Sequence, residues 1–362
     1  MAIAYTADKI YTGKTYINSA AVVVENNIIE NILPLKDLRA GVTVIQHAPI
    51  IAPAFIDIQI YGASSKLFSV YPDVDTLFKM ETHCKTGGTK YFLPTIATNT
   101  TEVFKKGIDA IREYWKQGGE AIPGLHIEGP WINKIKKGAH VENLIHSPGY
   151  EEVKNLLDYG KDAIKMITLA SEICSKKIID LIKSYDIIIS AGHSNSSYYE
   201  AMDFFKDIHV ATHLFNAMSA LHHREPGLPA AAMLHPSVMA SIVADGYHVN
   251  FNMIRLAKKL MGERLFFITD AVTETNEGPY PHVLNGDKYE SNGILSGSAL
   301  SMMKAVKNAV EKCDILLDEA LRMANLYPAK VLGIDSITGK IEKGYKADLV
   351  LIDEDLEVID CI

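Results

Sequence analysis

From residue 51 to residue 269 the chain alternates short apolar runs with longer stretches whose apolar positions recur at helical spacing. The apolar runs cover 51–60, 91–96, 124–128, 164–170, 187–192, 210–214, 240–244 and 265–269, and they predict eight strands. Helices are predicted between and after them, over 74–86, 102–117, 151–159, 175–184, 197–206, 252–261, 299–312 and 317–332. Apolar strands that are each followed by a helix belong to a parallel sheet buried on both faces. Eight such units suit a closed (β/α)8 TIM barrel of the α/β class better than an open doubly wound sheet. No glycine-rich dinucleotide or phosphate-loop fingerprint follows the early strands, which weighs the same way.

The flanks are patterned differently. Residues 17–32 cluster β-formers around Asn26-Asn27, as a hairpin does. Residues 339–359 carry short β runs broken by glycine and charge. Neither flank is long enough to bury a core alone. The two are therefore expected to combine into one small β-sandwich domain, residues 1–50 with 337–362, leaving 51–336 for the barrel.

Composition narrows the class without naming a substrate. The 362 residues, 48% hydrophobic and 22% charged, are enough for one large barrel and a small companion. A net charge of −8 argues against a nucleic-acid partner and against an anionic membrane surface. No apolar run approaches the ~18 residues of a spanning helix, and residues 1–15 lack the order of a signal peptide. Cys84, Cys174, Cys313 and Cys361 are scattered without C-x-x-C spacing, so they read as reduced thiols in a cytoplasmic protein.

The chemistry should lie where barrel enzymes keep it, at the carboxyl ends of the strands. Five predicted strands end on or run into polar residues there: Gln59, Glu128, His193, His213 and Asp270. One carboxylate and two imidazoles make a three-ligand site for a divalent metal such as zinc, with a position left for water. Water on such an ion becomes acidic enough to supply hydroxide near neutral pH. An aspartate beside it, Asp270, can take that proton and pass it to a leaving nitrogen. Ordinary explanations exist for each residue alone: a structural histidine, an ion-paired glutamate, a capping aspartate. Together they would leave unpaired polar groups converging on one barrel mouth. His126 lies two residues before Glu128 on the same strand and should line the barrel or support the site. His47, His83, His146, His209, His235 and His282 read as surface or loop residues.

These residues sit in longer blocks: HIEGPW (126–131), KGAH (137–140), AGHSNS (191–196), THLFNAMSALHHREPGLPAAA (212–232), ADGYHV (244–249), ITDAV (268–272), LSGSALSM (295–302) and the closing GKIEKGYKADLVLID. Through them nearly the whole chain resembles the N-acetylglucosamine-6-phosphate deacetylases of the amidohydrolase superfamily. The resemblance implies Glu128, His193 and His213 as ligands of one divalent metal ion, zinc or iron, with Asp270 as the acid–base carboxylate. It implies a hydrogen bond from His140 to the reacting carbonyl. It further implies substrate contacts from Ala139, His140, Asn216, Ala217, Arg224, His248, Leu295, Ser296 and Gly297. Arg224 and His248 suit a phosphate, and Arg224 is expected to serve the neighbouring subunit of a homodimer. The superfamily's H-x-H is replaced by Asp57-Ile58-Gln59, so a single metal is expected, with Gln59 near the water or behind the ligands. Pro53-Ala54 and Tyr327-Pro328-Ala329 also depart from the family's pattern. The alternatives are the galactosamine epimer as substrate, or another amidohydrolase reaction such as N-acyl-amino-acid deacylation.

Overall fold

In the computed structural model, which describes residues 2–39, 41–291 and 293–362, the chain divides by contact into two compact units. One gathers the residues up to Asp57, Cys84–Tyr91 and Ser301–Ile362; the other gathers Ile58–His83 and Phe92–Leu300.

The first unit holds a six-stranded sheet in the order Val358–Cys361, Leu349–Ile352, Thr43–Pro53, Ile3–Tyr11, Tyr16–Glu25, Ile28–Pro34. Both chain ends therefore enter one sheet. Its pairs are antiparallel except Ile3–Tyr11 with Thr43–Pro53. The expected hairpin turns at Asn26 and Asn27, with φ of 51° and 60°. Two consecutive left-handed residues match the right-handed twist of the flanking strands, and asparagine tolerates that conformation. Ile10, Val22, Ile29, Ile51, Leu349 and Leu351 are fully buried at the centre of this unit's core.

The barrel strands follow chain order around an eight-stranded sheet: Phe55–Ile60, Thr89–Ala97, Leu125–Glu128, Ile164–Leu169, Ile188–Ala191, Val210–Ala211, Met239–Ile242 and Leu265–Phe267. The ring closes where Asp270 N donates to Gln59 O at 3.0 Å and Tyr61 N donates to Ala271 O at 2.9 Å. All eight predicted strands are present, and the predicted helices recur within a few residues.

Three differences have physical causes. The predicted strand 51–60 is two strands, ending at Pro53 and resuming at Phe55. Proline has no N–H to extend a ladder, and Ala54 N turns to Asp348 O at 3.0 Å. The predicted helix 317–332 breaks at Asn325, whose backbone leaves the helical region (φ −128°, ψ −66°). The Asn325 side chain restarts the helix by accepting from Leu326 N and ties the break down by donating to Pro53 O at 3.1 Å. The apolar stretch Gly227–Leu234 is a helix, and Val283–Asn285, Lys288–Ser291 and Ile294–Ser298 form a small antiparallel sheet. Neither element was predicted, because glycine, proline and polar residues dilute both patterns. Among the described residues no helix is long and apolar enough to cross a membrane.

Candidate active site

Glu128 ends the third barrel strand, and His193, His213 and Asp270 lie just beyond the ends of the fifth, sixth and eighth. The last three hold left-handed backbone, φ 48°, 36° and 54°. Non-glycine residues there are strained, and such strain gathers at functional sites. At a strand end it turns the side chain out of the pleat toward the mouth. Gly129, at φ 79°, gives the neighbouring loop room: a Cβ there would lie 2.2 Å from Thr98 Oγ1. Thr98 needs that position, because its hydroxyl bonds His140 Nδ1 at 2.7 Å.

Glu128 Oε1 lies 3.3 Å from His193 Nε2 and 3.1 Å from His213 Nε2, and the two ring nitrogens are 3.1 Å apart. A tetrahedral ion with bonds of about 2.0 Å needs ligand atoms roughly 3.3 Å apart. The three atoms fit that spacing. His193 Nδ1 donates to Lys136 O at 2.9 Å, which leaves its Nε2 lone pair facing the other two groups. His213 is held through its backbone, whose N–H donates to Ser241 Oγ at 2.8 Å. Burial alone would raise the Glu128 carboxyl, but the imidazoles around it, His193 foremost, outweigh this and hold it well below the ordinary range. An ionised carboxylate and an available imidazole lone pair are what a divalent cation takes.

Asp270 is buried beside this group. Burial pushes its carboxyl above the ordinary range, against the pull of His248 and His213. Asp270 Oδ1 accepts from Gln59 Nε2 at 2.9 Å, and Asp270 Oδ2 lies 3.6 Å from His248 Nε2. His248 is itself clamped: its Nδ1 donates to Asp245 Oδ2 at 2.6 Å, while Asp245 Oδ1 accepts from the backbone of Tyr247 and His248. His140 Nε2 is 3.2 Å from Glu128 Oε2. Burial, reinforced by His193, lowers the His140 pKa to about 4, so the ring is neutral at pH 7.

One cavity joins the residues expected from the sequence. Glu128, Ala139, His140, His193, His213, Asn216, Ala217, His248, Asp270, Leu295, Ser296 and Gly297 all line it. The last three arrive because Ser298 N donates to Asp270 O at 2.9 Å, laying strand Ile294–Ser298 along the end of the eighth barrel strand. Gln59 is buried and reaches both Glu128 and Asp270. Arg224 is not brought in; it is exposed on the loop after the sixth strand.

His126 is wholly buried, with Nδ1 against Ile58 O and Nε2 against Thr168 Oγ1, so it lines the barrel interior. His282 corrects an expectation: it is 4% exposed, lines the cavity, and bonds Ser296 Oγ at 2.8 Å. Its burial follows from the small sheet, which the sequence pattern did not disclose. Tyr61, Thr98 and Asp245 were also missed. Tyr61 alone carried a signal, since it follows Gln59 by two on the same strand face. Its hydroxyl donates to Glu128 Oε2, and burial, then Glu128 and Asp270, push its pKa well above the ordinary tyrosine range.

Comparison with known proteins agrees with this geometry. The amidohydrolase family matches residues 50–361, and the NagA composite domain matches residues 3–57. The N-acetylglucosamine-6-phosphate deacetylase of Haemophilus influenzae is 36% identical, over 98% of this chain and 96% of that one. The N-acetylgalactosamine-6-phosphate deacetylase of Escherichia coli O157:H7 is 28% identical, over 97% and 95%. The crystal structure of N-acetylglucosamine-6-phosphate deacetylase from Pasteurella multocida superposes with a TM-score of 0.95 at 34% identity, covering 100% of this chain and 98% of that one. By barrel fold and full-length likeness, the chain belongs to the N-acetylglucosamine-6-phosphate deacetylases of the amidohydrolase family.

Proposed function

We propose that the chain hydrolyses the acetamide of N-acetylglucosamine-6-phosphate, releasing acetate and glucosamine-6-phosphate. The observation that carries the reading is the convergence of Glu128, His193 and His213 with Asp270 in one cavity. Glu128, His193 and His213 would hold a divalent ion such as zinc or iron, which would supply Lewis acidity to the carbonyl and acidify a water.

The chain's own residues do the rest. Asp270 accepts the proton of the attacking water. As the carbonyl carbon turns tetrahedral its oxygen gains negative charge, and His140 Nε2–H donates to it. With the Thr98 hydroxyl donating to Nδ1, the proton is on Nε2. Asp270 then passes its proton to the amide nitrogen, so that a neutral amine leaves. Burial, by raising this carboxyl, suits it to give the proton back.

On the sugar side, Asn216, Ala217 and Leu295 to Gly297 provide the walls, and His248 turns its Nε2 toward the substrate. Arg224 is the phosphate ligand of a neighbouring subunit in a homodimer, a role that its exposure outside its own cavity supports. Four free cysteines suit the cytoplasm.

The test is acetate release from N-acetylglucosamine-6-phosphate, its galactosamine epimer and unphosphorylated N-acetylglucosamine, before and after chelation. Turnover of the glucosamine phosphate that disappears with the metal is expected. The likeness to the Escherichia coli enzyme makes the galactosamine epimer the second reading. Faster turnover of that epimer would select it, and no turnover of either phosphosugar would sink both.

A further inference from the structure

Two carboxylates face one another across the site, Glu128 and Asp270, both buried. In a dry site such a pair needs a cation or hydrogen-bond donors between its members. Gln59 Nε2 stands in that place, 3.0 Å from Glu128 Oε1 and 2.9 Å from Asp270 Oδ1. Only the nitrogen of the amide can face two carboxylates, since its oxygen donates nothing. Tyr61 OH lies 2.7 Å from the same nitrogen, which has two protons to share among the three oxygens. Tyr61 in turn gives its single proton to Glu128 Oε2, although Asp270 Oδ1 is 3.4 Å away.

This arrangement fixes both oxygens of Glu128. Oε2 is taken by Tyr61, with His140 beside it, while Oε1 is the oxygen that meets His193 and His213. We propose that Tyr61 is a positioning residue that fixes Glu128 as a one-oxygen metal ligand. The inference rests on Glu128, His193 and His213 holding a divalent ion. It adds what sets the rate at which that ion is lost.

Two variants test it without relying on turnover. Y61F removes one hydroxyl and keeps the ring. Partners behind metal ligands typically contribute about 10- to 100-fold in affinity, so Y61F should lose its ion to a chelator at least about ten-fold faster than wild type. The metal-free variant should keep the wild-type secondary structure by circular dichroism. Y61L removes the ring as well and should lose its ion at least as fast as Y61F. Release of the ion from either folded variant at the wild-type rate would overturn the proposal. Wild type that binds no ion at all would remove the metal reading itself, and this inference with it.

Discussion

Asp270 and Glu128 are both carboxylates in the same cavity, yet their surroundings push them apart. Glu128 is surrounded by imidazoles and held ionised, whereas burial raises Asp270. A pair separated in this way divides the work, one group binding and the other moving protons. Replacing Asp270 with Asn should lower kcat by about 10²- to 10⁴-fold, the usual share of general acid–base catalysis. Bound metal should remain, and near-normal turnover would contradict the assignment. With Asp270 as the proposed base, kcat/KM should fall as pH drops through its pKa. The pH–rate profile of wild type would reveal that acid limb, and D270N should lack it. Asp245 offers a second test at this scale. In D245N the side-chain oxygen can still serve the backbone amides of Tyr247 and His248, but the amide nitrogen then faces His248 Nδ1. The ring proton is forced to Nε2. ¹⁵N shifts of His248 should report that change, and the loss of a charge-assisted bond should lower kcat/KM about ten-fold or more. Unchanged shifts would show that Asp245 does not set the tautomer.

At the scale of the element, strand ends and helix breaks carry the decisions. Left-handed His193, His213 and Asp270 end their strands in the geometry that delivers their side chains. The break at Asn325 is a structural counterpart, remote from the chemistry. Asn325 is 1% exposed, and N325A would leave Pro53 O and Leu326 N without their side-chain partners. A loss of about 1–3 kcal/mol in stability is expected from such buried groups, measured by denaturant unfolding, with kcat unaltered in the folded fraction. No loss would mean that water replaces both bonds.

At the scale of the molecule, Arg224 is exposed and lies outside its own chain's cavity, and its expected role is toward a neighbouring subunit. Mixing two defective variants examines the homodimer directly. R224A and D270N should each be impaired as homodimers. In a mixed dimer, the R224A chain keeps its own Asp270 and receives Arg224 from its partner. Activity should rise on mixing toward about a quarter of wild type, since one site in half of the statistically formed dimers is intact. Subunit exchange demonstrated by labelled chains, with no recovery of activity, would place Arg224 in its own subunit's chemistry.

Much of this was legible in one dimension. Eight apolar runs alternating with helical stretches announced the barrel, because a strand buried on both faces must be apolar throughout. Polar residues that close such runs, Glu128 on its strand and His193, His213 and Asp270 just beyond theirs, stood out for the same reason. What the sequence could not disclose lay in contacts between distant segments. Pro53 and Ala54 divide one apolar run between two sheets through a bond to Asp348. Tyr61 meets Glu128 across 67 residues, and His282 is buried by a small sheet whose strands carry no strong pattern. Periodicity reports which face of an element is dry. Which polar group answers another across the mouth depends on closure of the barrel, and only the tertiary structure decided that.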